Sequence, residues 1–372
     1  MRHPERSVPR AVEMRIALLT EIPAPFRLPL FAALAGEPDV DLRVFFLAAN
    51  DPRRNYPSYP LGFPAEVLPG KDVLAGGRWL VVNLGVLGRL RRFRPDVVLV
   101  GGWNQPAFWQ ALLYARAARV PFVVWVESTA RDERAGRGPV EAAKRAVVRS
   151  AAAFVVPGRA AEEYVRSFGA KEVAVAPNAV DLGVFGERRE RRAELRAKLG
   201  LDGVTFLCVS RLSPEKGVDL LVRAFDGVPG ELALVGDGPD REHVAALAGP
   251  GVRLLGRVER DQLVDWYAAA DAFVMPSRSE TWGMAMQEAA AAGLPLVASE
   301  APGAGYDLIE DGVNGFRVPV DDVEALRAAL VRVATDEAFR EAARPRTLEL
   351  ARGYTPEAWA DAVAALARRL TR

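Results

Sequence analysis

A chain of 372 residues, half of them hydrophobic, is longer than one typical domain and has apolar side chains enough for two cores. Its 49 basic and 48 acidic residues leave a formal net charge of +1, which argues against nucleic acid as a partner. The single cysteine, Cys208, excludes an intrachain disulfide and a cysteine-rich zinc site, and no apolar run is long enough to span a membrane.

Residues 1–13 are polar and lack the hydrophobic stretch of a secretory signal; a disordered tail is expected there, with Met14 a candidate natural start. Short apolar runs at 15–20, 42–47, 97–100, 122–126 and 153–156 show no clean alternation. That suits strands buried on both faces of a parallel sheet. Helical patterns at 104–118, 138–150 and 159–168 separate them, and residues 50–72, rich in Pro, Gly and Asn, read as a long surface loop. The turn signal Pro177-Asn178 places a boundary near 178–186. The pattern then restarts with a charged helix at 187–199 and strands near 204–209, 231–235, 252–255, 272–275, 295–298 and 316–318. Repeated β-α order predicts two doubly wound α/β domains, 14–180 and 181–353, followed by a helical segment 354–372. Cys208 lies in the apolar run 204–209, which suits core packing and a reducing, cytoplasmic setting.

The densest chemistry is in Pro276-Ser277-Arg278-Ser279-Glu280-Thr281-Trp282-Gly283-Met284-Ala285-Met286-Gln287-Glu288. Glu280 falls in a strand-to-helix loop and Glu288 inside the helix, roughly 12 Å apart at the helical rise. That is the span from sugar to ribose in a nucleotide sugar, although spacing alone fits two solvated glutamates equally. Upstream, Arg211 stands just past a strand end, Ser213 is a candidate N-cap, Pro214 takes the first helical position and Lys216 lies in the first turn. Two cations beside free helix amides make an anion site; the plainer alternative is two surface cations beside a capped helix. No Walker sequence occurs, and Gly236-Asp237-Gly238-Pro239 lacks the third glycine of a dinucleotide fingerprint, so ATPase and dehydrogenase readings are poor. Gly236 and Gly238 either let the backbone approach a nucleotide or turn the chain.

The run Ser279 to Val297 resembles the E-x7-E segment of retaining glycosyltransferases of family 4, which have the GT-B fold of two Rossmann-like domains facing across a cleft. Val209-Ser210-Arg211-Leu212-Ser213-Pro214-Glu215-Lys216-Gly217, Leu234-Val235-Gly236-Asp237-Gly238-Pro239, Glu310-Asp311-Gly312-Val313-Asn314-Gly315 and the interdomain Ala176-Pro177-Asn178-Ala179-Val180-Asp181 match in the same order. The resemblance covers roughly 176–320; the first half matches only in general pattern. It implies that Arg211 and Lys216 hold a donor diphosphate, Glu280 meets the sugar, Glu288 accepts from the ribose, and the amides of Gly283, Met284 and Ala285 face sugar and phosphate. Backbone at Gly256-Arg257-Val258 would hold the base, UDP or GDP being the expected carriers. Neither a metal nor another cofactor is expected, because the cations meet the leaving charge; Asp321-Asp322 reads as a helix cap. The final helix is expected to cross back onto the first domain, and Trp282 to pack against that domain.

Two departures bear on the acceptor side. Relatives commonly carry a histidine after a mid-domain strand of the first half, whereas this chain has only His3 and His243. Glu127, in Trp125-Val126-Glu127-Ser128-Thr129, is the candidate in its place, the alternative being a carboxylate paired with Arg131 or another arginine. The first loop, Glu21-Ile22-Pro23-Ala24-Pro25-Phe26-Arg27, replaces glycines with prolines. Phe26 and Arg27 line the acceptor mouth, or Phe26 caps the core and Arg27 begins a helix. Trp103 and Asn104 end another strand, Trp103 stacking on a sugar or packing in the core. Residues 84–94 mix apolar and basic side chains, giving either peripheral membrane contact or a sheet cover. The expected function is transfer of a sugar, with retained configuration, from a nucleotide-diphosphate sugar to a glycan or lipid-linked acceptor. The rivals are an epimerase or hydrolase of the same architecture and a non-catalytic nucleotide-sugar-binding module.

Overall fold

The computed structural model describes residues 14–51, 60–75, 78–131 and 139–372. The expected tail 1–13, with His3, lies outside them. The first sheet contains β1 (Met14–Thr20), β2 (Val40–Phe46) and β3 (Ala65–Val67). A hairpin of β4 (Gly70–Ala75) and β5 (Arg78–Asn83) follows. The sheet resumes with β6 (Val97–Val100), β7 (Phe122–Trp125), β8 (Ala153–Val156) and β9 (Val173–Val175), in the order β3-β2-β1-β6-β7-β8-β9. The second sheet is built from β10 (Thr205–Val209), β11 (Glu231–Val235), β12 (Val252–Gly256), β13 (Ala272–Met275), β14 (Leu296–Ser299) and β15 (Gly315–Val318), in the order β12-β11-β10-β13-β14-β15. Both sheets are parallel. Helices cover both faces. In β1, Ala17 and Leu19 enter one core while Ile16 and Leu18 enter the other, which explains strands without apolar–polar alternation.

Three expectations on local structure change. The predicted loop 50–72 contains β3 and the start of β4; residues 52–59 lie outside the described set. Pro64 and Pro69 flank β3, a three-residue edge strand, so its sequence signal is that of a loop. The charged helix predicted at 187–199 is two helices, Leu182–Glu190 and Arg192–Leu199, broken at Arg191 (φ −94°, ψ 15°). Asp181 caps the first of them, accepting from the amides of Gly183 (3.0 Å) and Val184 (3.2 Å). The short strand β9 has no counterpart among the predicted elements.

The chain passes between the sheets twice, at 176–181 and 352–355, and the passes are bonded to each other: Val180 donates its amide to the Tyr354 carbonyl at 3.2 Å. The last helix, Pro356–Thr371, starts where the Thr355 hydroxyl accepts from the Ala358 amide (3.2 Å), and packs on the first sheet. Its Trp359 is fully buried, with ring centroids 6.0 Å from Phe31 and 5.2 Å from Trp125. Arg368 on the same helix pairs with Glu37 (2.9 Å) and Asp39 (2.5 Å), and its hydrogen bond holds the Asp39 carboxyl below the usual range.

The carboxyl ends of the two sheets face each other. Asp307, on the second lobe, pairs with Arg159 Nε of the first at 3.2 Å and accepts the Arg159 amide. The Arg131 guanidinium lies over the Tyr306 ring at 4.8 Å. A Cβ on Gly158 would stand 2.4 Å from the Asp307 carboxylate and 2.7 Å from the Trp282 ring, so any larger residue would have to displace these side chains. Trp359→Ala should lower stability by about 3–5 kcal/mol, the usual loss for a fully buried tryptophan, read as a lower midpoint in urea unfolding.

Candidate active site

Each sheet reverses its strand order once, between β1 and β6 in the first and between β10 and β13 in the second. The connections on either side of such a point leave in opposite directions, opening a crevice at the strands' carboxyl ends. The candidate residues stand on these loops: Arg27 after β1, Trp103 and Asn104 after β6, Glu127 after β7, Arg211 and Lys216 after β10, Glu280 after β13.

In the second lobe, Lys216 Nζ meets Glu280 Oε2 at 2.5 Å, with only 22% and 18% of the two side chains exposed. This ion pair joins the loops of neighbouring strands 64 residues apart in sequence. The expected capped α-helix at Ser213 is instead a 3-10 turn, Pro214–Lys216, ended by Gly217 in the left-handed region (φ +62°). The Ser213 hydroxyl does not cap it. It donates to Glu215 Oε1 (2.7 Å) and accepts from Arg211 Nε (3.2 Å). The amides of Lys216 and Gly217 donate within the turn, to the carbonyls of Ser213 (2.9 Å) and Pro214 (3.3 Å). An anion at this point would therefore meet side-chain cations rather than these two amides. Arg211, 64% exposed, pairs with Glu215 at 2.8 Å.

Arg211, Gly236 and Val258 line a hollow of about 420 Å³ at the ends of β10, β11 and β12. Lys216, Glu280 and Glu288 are not among its walls. The reason for the two glycines is backbone crowding: a Cβ on Gly236 would be 1.8 Å from the Ser210 carbonyl, and one on Gly238 would be 2.1 Å from that of Leu212. The loops after β10 and β11 continue the ladder beyond the strands, with Ser210 donating to Val235 (2.9 Å) and Leu212 to Asp237 (3.1 Å).

Glu288 lies in the helix Met284–Ala291, which Gly283 opens at φ +107°. The helix's own bonding begins with Met286 and Gln287, whose amides donate to the Gly283 carbonyl. The amides of Met284 and Ala285 precede that ladder, as at any helix start. Glu288 Oε2 accepts from the fully buried Tyr267 hydroxyl (3.0 Å), and Oε1 lies 3.9 Å from Arg260. Burial raises the Glu288 carboxyl, with the Tyr267 hydrogen bond and the Arg260 charge opposing it. Trp282 is buried in the seam and donates its indole N–H to Gln287 Oε1 at 2.6 Å.

In the first lobe, Glu127 Oε1 accepts from Arg27 Nη2 at 3.1 Å. Two candidates thus pair with each other; Arg131 instead faces Tyr306. Arg27 immediately precedes the helix Leu28–Ala35 and lies 4.5 Å above the Trp125 ring. Phe26 packs, half-buried, on the core. Trp103 does so too, with Lys144 5.5 Å from its ring, and Asn104 donates to Glu21 Oε1 at 3.0 Å. His243 is exposed on the helix Arg241–Leu247. Asp322 caps the helix Val323–Thr335 through the Ala325 amide (2.9 Å). The sequence gives no sign of Tyr267 beneath Glu288 or of the Arg159–Asp307 seam; both join distant residues, and no local spacing encodes them.

Two facing parallel sheets with a crevice at their reversal points define the GT-B architecture. Family models match both halves: Glycosyltransferase Family 4 over residues 33–184 and Glycosyl transferases group 1 over residues 203–336. The chain belongs to this family of glycosyltransferases. It is 32% identical to a D-inositol 3-phosphate glycosyltransferase of Kribbella flavida, over 57% of this chain and 54% of that protein. Sulfoquinovosyl transferase SQD2 of Arabidopsis thaliana is 30% identical over 72% of this chain and 56% of its own. The chain thus spans about half the length of these relatives. The crystal structure of Anabaena Alr3699/HepE in complex with UDP shares the fold, with a TM-score of 0.76 at 20% identity, covering 96% of this chain and all of that one.

Because burial raises Glu288, the fold favours its protonated form. That contribution is complete below the ordinary glutamate range and is lost as pH rises through the raised value. Glu288→Gln should therefore melt above the wild type at neutral pH, with the gap closing in acid; a Tm difference that does not vary with pH would contradict this.

Proposed function

We propose that the protein transfers a sugar, with retention of configuration, from a nucleoside-diphosphate sugar to a glycan or glycolipid acceptor, without a metal ion. The Lys216–Glu280 pair at the β10/β13 reversal, together with the hollow at the ends of β10, β11 and β12, carries this reading. The base occupies the hollow against Gly236 and Val258, and Glu288, outside its walls, accepts from the ribose diol. The diphosphate reaches Lys216 and Arg211, whose charges offset the negative charge that develops as the glycosidic bond to phosphate breaks. Glu280, held by Lys216, accepts from sugar hydroxyls, and the amides of Gly283, Met284 and Ala285 face sugar and phosphate. Glu127, oriented by Arg27, faces the acceptor from the opposite lobe. UDP, as in the Anabaena structure, or GDP is the carrier.

The acceptor side carries a surface that suits a lipid-linked substrate at the cytoplasmic face of a membrane. On the hairpin, Trp79 and Val81 point inward, while Lys71, Val73 and Val82 point outward, followed by Leu84 at 80% exposure. Arg91 and Arg92 are exposed on the next helix, Val86–Phe93, and have no carboxylate partner among the described residues. Basic side chains beside exposed leucines favour an anionic bilayer. No helix among the described residues is long and apolar enough to cross a membrane.

UDP or GDP should raise the Tm and NAD should not. Lys216→Ala should remove most of that shift; a full shift retained would defeat its phosphate role. Glu127→Gln should cut transfer about 10²-fold or more, the typical share of one positioned acid or base, while lowering the Tm far less in proportion. Free sugar or an epimer as the sole product would favour the rival enzyme, and tight donor binding without turnover on any acceptor the binding module. Arg91→Glu with Arg92→Glu should reduce co-sedimentation with vesicles containing phosphatidylserine but not with phosphatidylcholine alone.

A further inference from the structure

Arg278 lies in the loop after β13, two residues before Glu280, and is the most heavily bonded side chain near the Lys216–Glu280 pair. Its guanidinium donates to the Pro214 carbonyl (2.7 Å), to both carboxylate oxygens of Asp219 (2.8 and 2.9 Å) and, through Nε, to Asp321 Oδ1 (2.7 Å). The backbone repeats the attachment: the amides of Arg278 and Ser279 both donate to the Glu215 carbonyl, at 2.9 and 3.1 Å. The turn Pro214–Lys216 is pressed onto the loop so closely that a Cβ on Gly217 would stand 2.3 Å from the Pro276 carbonyl.

We propose that Arg278 is a positioning residue that fixes Lys216 against Glu280 by clamping the 3-10 turn to the loop after β13. The 3-10 turn has only three residues and no side-chain cap, so nothing internal to it sets the direction of Lys216. The planar guanidinium spans a carbonyl, a bidentate carboxylate and a second carboxylate at once, which an ammonium cannot do. Asp219 is on the helix Val218–Ala224, so the clamp runs from that helix through Arg278 to both site loops. Arg278 acts through Lys216 and does not line the hollow. Its consequence for the donor rests on the function proposed above; its effect on Lys216 does not.

The chain has five lysines, and Lys71 is exposed. Reductive methylation followed by mass spectrometry therefore reads the Lys216 amine directly, with Lys71 as internal standard. In the wild type Lys216 should react about 10-fold more slowly than Lys71, as expected of a partly buried, paired ammonium. In Arg278→Ala and Arg278→Lys its rate should rise to within about threefold of Lys71 while circular dichroism stays unchanged. Unaltered protection of Lys216 in both variants overturns the proposal. A second arm measures UDP and GDP affinity: Arg278→Ala should weaken binding about 10-fold in the wild-type background and less than twofold in Lys216→Ala, as for residues acting as one unit. Equal losses in the two backgrounds would also overturn it, showing that Arg278 acts elsewhere. If the wild type binds neither nucleotide, the proposed function falls and the amine-reactivity arm still decides the clamp. Should Arg278→Ala fail to fold, Asp219→Asn removes the charge from the other side of the bond and should expose Lys216 in the same way.

Discussion

The site depends on β13 running beside β10. Residues more than sixty apart in sequence then leave adjacent strand ends, and a lysine from one loop reaches a glutamate from the other at 2.5 Å. Parallel pairing makes this possible because it puts both loops on the same edge of the sheet. The reversal of strand order leaves the space beside them free of crossing helices. The fold thereby supplies the crevice, while the chemistry comes from a few side chains placed on it.

The second requirement is that two lobes hold one geometry. The last helix fastens the chain end to the first sheet through Trp359, while the two crossing segments bond to each other beneath the seam. Trp282 joins these features. It lies between Glu280 and Gly283, stands 6.0 Å from the Tyr354 ring at the second crossing, and binds Gln287, whose amide donates to the Asn178 carbonyl at the first (2.5 Å). A change in lobe angle would be felt at the tryptophan two residues from Glu280, through direct side-chain contacts.

Much of this was legible in the chain. Buried parallel strands show as β-branched runs such as Val97–Val100, and the loop position of Glu280 follows from the strand before it and the alanine-rich helix behind it. What escaped were short or cooperative features. The three-residue strand Ala65–Val67 gains its bonds only from β2, and the hairpin at 70–83 lies partly inside a stretch whose prolines and glycines read as loop. Ser213 has the chemistry of a cap, yet its hydroxyl is drawn to Glu215, a competition that propensity cannot rank. The partners Arg27–Glu127, Tyr267–Glu288 and Arg278–Asp219 are 100, 21 and 59 residues apart, so no window of sequence contains the longer of these pairs together with its reason. Asp322, by contrast, caps its helix through the amide three residues on, a range in which its role could be read from the sequence.

Cys208 offers a practical consequence. It is the sole thiol, sits in the middle of β10 at 2% exposure, and burial pushes its thiol up to about 12. At neutral pH it presents almost no thiolate and no path for a bulky reagent. Maleimide dyes or spin labels can therefore be attached at cysteines introduced on the two lobes without first removing the native one. The wild-type chain is, in effect, already a background-free scaffold for spectroscopic rulers across the cleft.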